Sequence, residues 1–226
     1  MDQADVRGEV EALYSEANAD PSRPPGALWL ADRVMARVLW IPGLCTHARL
    51  CRESVANDDG KQHRIELRDG LTIGSAQYYS AHELGEYRIE VACWGGVVRE
   101  WREHAATQIG VGILAPDQAV ARLMAVSNKT PRTVDIEYMS RVFQITQPVA
   151  LLRLGEALGW PVALVNREPL FESEEGIPYV QMRGDWPRKL SQLEAWRLAT
   201  GKAKPKGTRK IVMGSRGQFV ALIRTG

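Results

Sequence analysis

Within the run Tyr78-Tyr79-Ser80-Ala81-His82-Glu83-Leu84-Gly85-Glu86-Tyr87, one imidazole and two carboxylates fall at spacings suited to metal-assisted hydrolysis. On a helix, His82 and Glu86 stand four residues apart on one face, so both reach a single ion. Glu83 adjoins them. A hydrolytic zinc centre needs three protein ligands, an open position for water, and a carboxylate that takes the proton of that water; His-Glu-x-x-His on a helix supplies two ligands and the base. Here the fifth residue is Glu86 rather than His. A carboxylate oxygen also binds zinc, at about 2.0–2.2 Å, while adding negative charge and reducing the Lewis acidity of the ion. The competing reading is a solvated helix face on which Glu86 and Glu90 pair with Arg88 or Arg99, each pair worth only about 0–1 kcal/mol. Against it, His, Glu and Glu clustered beside Leu84-Gly85 are costly on a buried face unless an ion or a proton relieves the charge.

The neighbouring residues extend the pattern. Ser80-Ala81-His82-Glu83-Leu84-Gly85 resembles the active-site helix of the ImmA/IrrE family of metallopeptidases, which reads like F-T-L-A-H-E-L-G-H. A second block, Glu103-His104-Ala105-Ala106-Thr107-Gln108-Ile109-Gly110-Val111-Gly112-Ile113-Leu114-Ala115-Pro116, is similar to that family's acidic-start, small-middle, Leu-x-Pro helix. A third, Tyr138 to Gly159, resembles its L-A-x-x-F-x-V-S-x-x-A-x-x-x-R-L-x-x-L-G segment. The blocks keep the family order and cover about Gly26 to Gly159.

The resemblance implies a zinc-dependent endopeptidase whose relatives cleave a repressor or another transcriptional regulator in phage, mobile-element or stress circuits. His82 then matches the first zinc ligand and Glu83 the general base, and Glu86 occupies the second ligand's place without its identity. The third ligand is an acidic residue near the start of the second block, where Glu103 fits best and Glu100, one turn earlier, is the alternative. Ala105 departs from the second acidic position of that block, and His104 offers an imidazole in its stead or a group to stabilise an oxyanion. The implied class is α+β: a helical zincin-like core with a small β-sheet over residues 1–160, then a smaller, basic, strand-rich segment over 161–226.

Local signals supply the elements that must position these groups. Val6 to Ala17 reads as a helix, broken by the three prolines of Pro21-Ser22-Arg23-Pro24-Pro25. Apolar spacing through Leu30, Val34 and Val38 predicts a helix over Ala27 to Leu39, ended by Ile41-Pro42-Gly43. Short strands and turns follow from Cys45 to Leu71, with Asn57-Asp58-Asp59-Gly60 as a hairpin tip and Arg68-Asp69-Gly70 as a turn. Helices are expected over Ile73 to Cys93, with Ala76, Tyr79, Leu84 and Ile89 on its buried face, then over Val97 to Leu114 and Gln118 to Val126. Val134 to Leu158 gives two helices split at Gln144 to Pro148. This pair looks like a helix-turn-helix, and the family resemblance makes it a packing element. Strands are expected at Ala163 to Val165, Pro178 to Val180, Lys210 to Met213 and Gln218 to Ile223, around a helix near Leu190 to Leu198.

Charge divides the chain unevenly. The 226 residues carry 29 Lys plus Arg and 27 Asp plus Glu, a net of +2. From Arg183 to the end, eleven basic residues face two acidic ones, a net of +9, which leaves −7 on the first 182 residues. A basic surface of this kind suits nucleic acid or an acidic partner, through Lys202, Lys204, Lys206, Arg209 and Lys210, with Trp186 and Trp196 available to stack on bases. The plainer reading is a solubilising edge that pairs with the acidic half. The longest uncharged apolar stretches, such as Ile109 to Pro116, are far below the roughly 18–20 residues of a membrane span. The acidic start Met1-Asp2-Gln3-Ala4-Asp5 lacks the build of a secretory signal, and the expected compartment is the cytoplasm. Cys45, Cys51 and Cys93 form no Cys-x-x-Cys pair and are expected to be small buried hydrophobes.

Overall fold

The computed structural model describes residues 3–58, 60–92, 99–125, 133–158, 162–166, 180–183, 201, 208–213 and 219–224. The architecture is α+β. Its contacts gather into two compact units, 1–119 with 143–145, and 120–142 with 146–226.

The first unit begins with α1 (Gln3–Glu16) and α2 (Ala27–Val34). The prolines between them remove backbone donors and separate the two helices. Helix α2 stops five residues short of the expected Leu39, and Arg37–Ile41 is instead strand β1. Val38, Leu39, Trp40 and Ile41 are β-branched, aliphatic and aromatic residues that fit a pleated surface, and the parallel pairing of β1 with β3 (His63–Arg68) overrides the helical spacing. Met35 turns to extended backbone and Ala36 N–H donates to the His63 carbonyl, so the switch is fixed by long-range pairing.

Strand β2 (Ala48–Arg52) pairs antiparallel with β3, giving the order β1-β3-β2. Asn57 N–H donates to Lys61 O and Gly60 N–H to Asn57 O at the tip between β2 and β3, as expected, with Asp59 outside the described residues. Ile65 and Leu67 of β3 are buried on one face, while Glu66 is buried on the other between Arg49 and Arg64. The cysteines correct their expectation. Cys45 is exposed in the turn before β2, and Cys51 is half-buried because β2 is an edge strand; Cys93 lies outside the described residues.

Helix α3 (Ile73–Val91) starts at Thr72, whose side chain accepts from Ser75 N–H as an N-cap. Its face of Ala76, Leu84 and Ile89 is buried, and Tyr79 is half-buried. Helix α4 (Arg99–Leu114) lies along α3, and α1 packs on α4 through Tyr14, whose hydroxyl donates to the Ile113 carbonyl at 2.8 Å. Arg88 of α3 is held by Glu9 and Glu16 of α1.

Helix α5 (Asp117–Ala125) leads into the second unit, which contains α6 (Thr133–Phe143) and α7 (Gln147–Leu158). Gln144, at positive φ, marks the break between these helices where the sequence placed it. An antiparallel sheet follows in the order β5-β4-β7-β6, from β4 (Val162–Asn166), β5 (Val180–Arg183), β6 (Thr208–Met213) and β7 (Phe219–Arg224). Strand β5 runs from Val180 onward, beyond the expected segment, while Pro178, Tyr179, the expected helix near 190–198, and Trp186 and Trp196 lie outside the described residues. Among the described residues no helix is long and apolar enough to cross a membrane.

Candidate metal centre

The crossing of α3 and α4 builds the site. Glycine lacks a Cβ, so two helix backbones can meet where glycine faces a small residue. A methyl group on Gly85 would overlap the Ala106 carbonyl, and one on Gly110 would lie 2.8 Å from the Ala81 carbonyl oxygen. These two contacts fix α4 antiparallel against α3. They set Glu103 and Thr107 beside His82, and Arg102 beside Glu86.

His82, Glu86 and Glu103 each offer a ligand atom within 4.8 Å of the other two. His82 Nε2 is 3.4 Å from Glu103 Oε2. The Thr107 hydroxyl donates to the Glu103 carbonyl at 2.9 Å and lies 3.3 Å from His82 Nδ1. With that hydrogen on the Glu103 carbonyl, the oxygen is free to accept from Nδ1–H, and in the neutral tautomer that does so the lone pair is on Nε2. Nε2 then faces a carboxylate oxygen with no hydrogen between them. Two acceptors so placed repel each other unless a proton or a cation lies between them. A tetrahedral zinc site with ligand bonds of about 2.0–2.2 Å has ligand atoms roughly 3.4 Å apart; His82 Nε2 and Glu103 Oε2 stand at that separation, and the three groups, within 4.8 Å as a set, would draw together to hold an ion.

Glu83, next to His82 on α3, is buried and feels the charges of Glu86 and Glu103. Burial drives its carboxyl up to about 7; the Leu50 amide of β2 opposes this by hydrogen bonding, and the charges of Glu86 and Glu103 reinforce it. His47, just before β2, stacks on Tyr79 of α3 with ring centroids 4.6 Å apart, which holds the edge strand over this helix. The site therefore has a closed wall at Glu83 and an open side at Glu103, whose side chain is 54% exposed.

Of the sequence-derived residues, His82, Glu83, Glu86 and Glu103 come together. His104 points elsewhere, exposed and 2.8 Å from Gln108 Nε2. Glu100 lies in the first turn of α4, its side chain outside those described. Glu86 pairs with Arg102, rather than with Arg88 or Arg99. Three contributors were not singled out in the sequence: Arg102, Thr107 and the Leu50 amide. The signal for the first two was Gly85 and Gly110 in mid-helix, since glycine there disfavours the helix by about 1 kcal/mol relative to alanine unless close packing requires it. The Leu50 contact has no local sequence signal.

Of the basic residues expected to meet nucleic acid, Arg209 and Lys210 lie in β6, and Lys202, Lys204 and Lys206 are outside the described residues. No family model matches the chain, and no curated protein matches it. Its fold is similar to that of a solved Mycobacterium tuberculosis transcriptional regulator, with a TM-score of 0.57 and 14% sequence identity, over 97% of this chain and 75% of that one.

Proposed function

We propose that the chain is a zinc-dependent endopeptidase acting on a regulatory protein such as a repressor, with zinc held by His82, Glu86 and Glu103. The observation that carries this reading is the approach of His82 Nε2 to Glu103 Oε2 beside a second carboxylate, next to a buried Glu83. The ImmA/IrrE-like blocks support it independently. Zinc, when held there, acts as a Lewis acid on water and on the scissile carbonyl. Glu83 receives the proton of the attacking water and returns it to the amine leaving group, a role that suits a carboxyl whose affinity for protons is raised toward neutrality. The Leu50 amide orients that carboxylate. Thr107 holds the imidazole of His82 in the tautomer that presents Nε2.

The test is elemental analysis of protein purified without chelator. Stoichiometric zinc that is lost in Glu86→Ala and kept in Glu83→Ala supports the reading, and a metal-free wild type overturns it.

A second reading is a non-catalytic, metallopeptidase-like regulator that binds DNA or protein through its basic C-terminal part. It draws on the fold shared with a transcriptional regulator and on the +9 segment. DNA binding that weakens steeply with salt supports it; salt-insensitive or absent binding removes it.

A further inference from the structure

We propose that Arg102 competes with the metal ion for Glu86 and thereby sets the affinity of the centre; this rests on the metal-site reading above. Arg102 Nε donates to Glu86 Oε2 across the α3–α4 contact. Relative to a neutral imidazole at that position, a carboxylate adds one negative charge, and the guanidinium returns the pair to neutrality. Glu86 shares its surroundings with Glu83, Glu103 and His82, and Arg102 joins this acidic cluster through its ion pair to Glu86.

The two partners differ in freedom. The Glu86 side chain is 13% exposed and the Arg102 side chain 41% exposed. Arg102 stands at the rim and can swing its guanidinium into water, while Glu86 is held at the packed face beside Gly85. A divalent ion and a guanidinium drawn to one carboxylate repel each other, and at a few ångströms in a partly buried site that repulsion is substantial. Ion entry therefore displaces Arg102 from Glu86, and the cost of that displacement lowers the affinity. Glu86 and Arg102 act as a unit in place of the histidine of His-Glu-x-x-His.

The experiment is a chelator-competition measurement of zinc affinity on the full chain, with far-UV circular dichroism to confirm folding. Wild type, Arg102→Met and Arg102→Lys are compared, and Arg102→Met is repeated in a Glu86→His background. Arg102→Met should tighten zinc binding by roughly tenfold or more, and Arg102→Lys by less. With His at position 86 the same substitution should change affinity by less than about threefold, because there is no shared carboxylate to contest. Wild-type binding that is unchanged or weakened by Arg102→Met, or an equal gain in the Glu86→His background, overturns the competition and leaves the metal site standing. Zinc binding by neither wild type nor Arg102→Met overturns both.

Discussion

Gly85 of α3 lies against the carbonyl of Ala106 on α4 with no room for a methyl group between them. The pair sits at the centre of the crossing, so the spacing of the two helices there decides whether Glu103 reaches His82 and Arg102 reaches Glu86. Gly85→Ala gains about 1 kcal/mol of helix propensity yet forces one backbone off the other, and it should destabilise the protein by roughly 2 kcal/mol or more. Urea denaturation measures this, and a neutral or stabilising result would show that the crossing is loose. Gly110→Ala, whose methyl meets the Ala81 carbonyl, should act in the same direction and also weaken metal binding.

Tyr14 reaches from α1 to the Ile113 carbonyl of α4. Burial raises its hydroxyl far above the ordinary tyrosine range, so it stays protonated and donating at all working pH values. Tyr14→Phe keeps the ring and removes the donor. The expected loss is about 0.5–1.5 kcal/mol in denaturant unfolding with an unchanged m-value.

Glu66 is held between Arg49 at 2.5 Å and Arg64 at 2.8 Å. The Arg49 hydrogen bond lowers its proton affinity most, and Arg64 adds to it. A carboxylate with a depressed folded-state pKa contributes stability that is complete above its unfolded value of about 4.3 and is lost as pH falls through the folded value. Glu53, lowered chiefly by Arg37, acts in the same window. The wild type should therefore lose stability steeply below about pH 4.5, and Glu66→Gln should flatten that fall while leaving less to lose at neutral pH. Identical pH profiles for both proteins would exclude this cluster as a source of acid sensitivity.

Zinc that binds the folded chain alone must raise its apparent stability. At free zinc one hundred times the dissociation constant the gain is about 2.7 kcal/mol. Chelator should lower the thermal midpoint of wild type and of Glu83→Gln alike, and His82→Ala should show no response. A chelator effect that survives in His82→Ala would place the ion elsewhere.

Much of this was written locally. The i, i+4 relation of His82 and Glu86 follows from helical pitch alone, and Thr72, the prolines before Gly26 and the break at Gln144 are signals a few residues long. The stretch after Val34 was misread because Val38 fits a helical stripe as well as a strand, and only the parallel partner β3, far along the chain, decides between them. The half-exposure of Cys51 has a related reason, since edge position is a property of the sheet, while Cys45 falls in the turn before that strand.

The sequence by itself therefore determined that His82, Glu83 and Glu86 stand together on one helix, because side chains within a turn need no other element to bring them together. Only the tertiary structure decided which group joins them. Glu103, Arg102, Thr107 and the Leu50 amide come from a second helix and an edge strand, and their approach depends on the Gly85–Ala106 and Gly110–Ala81 contacts, whose geometry no local periodicity encodes.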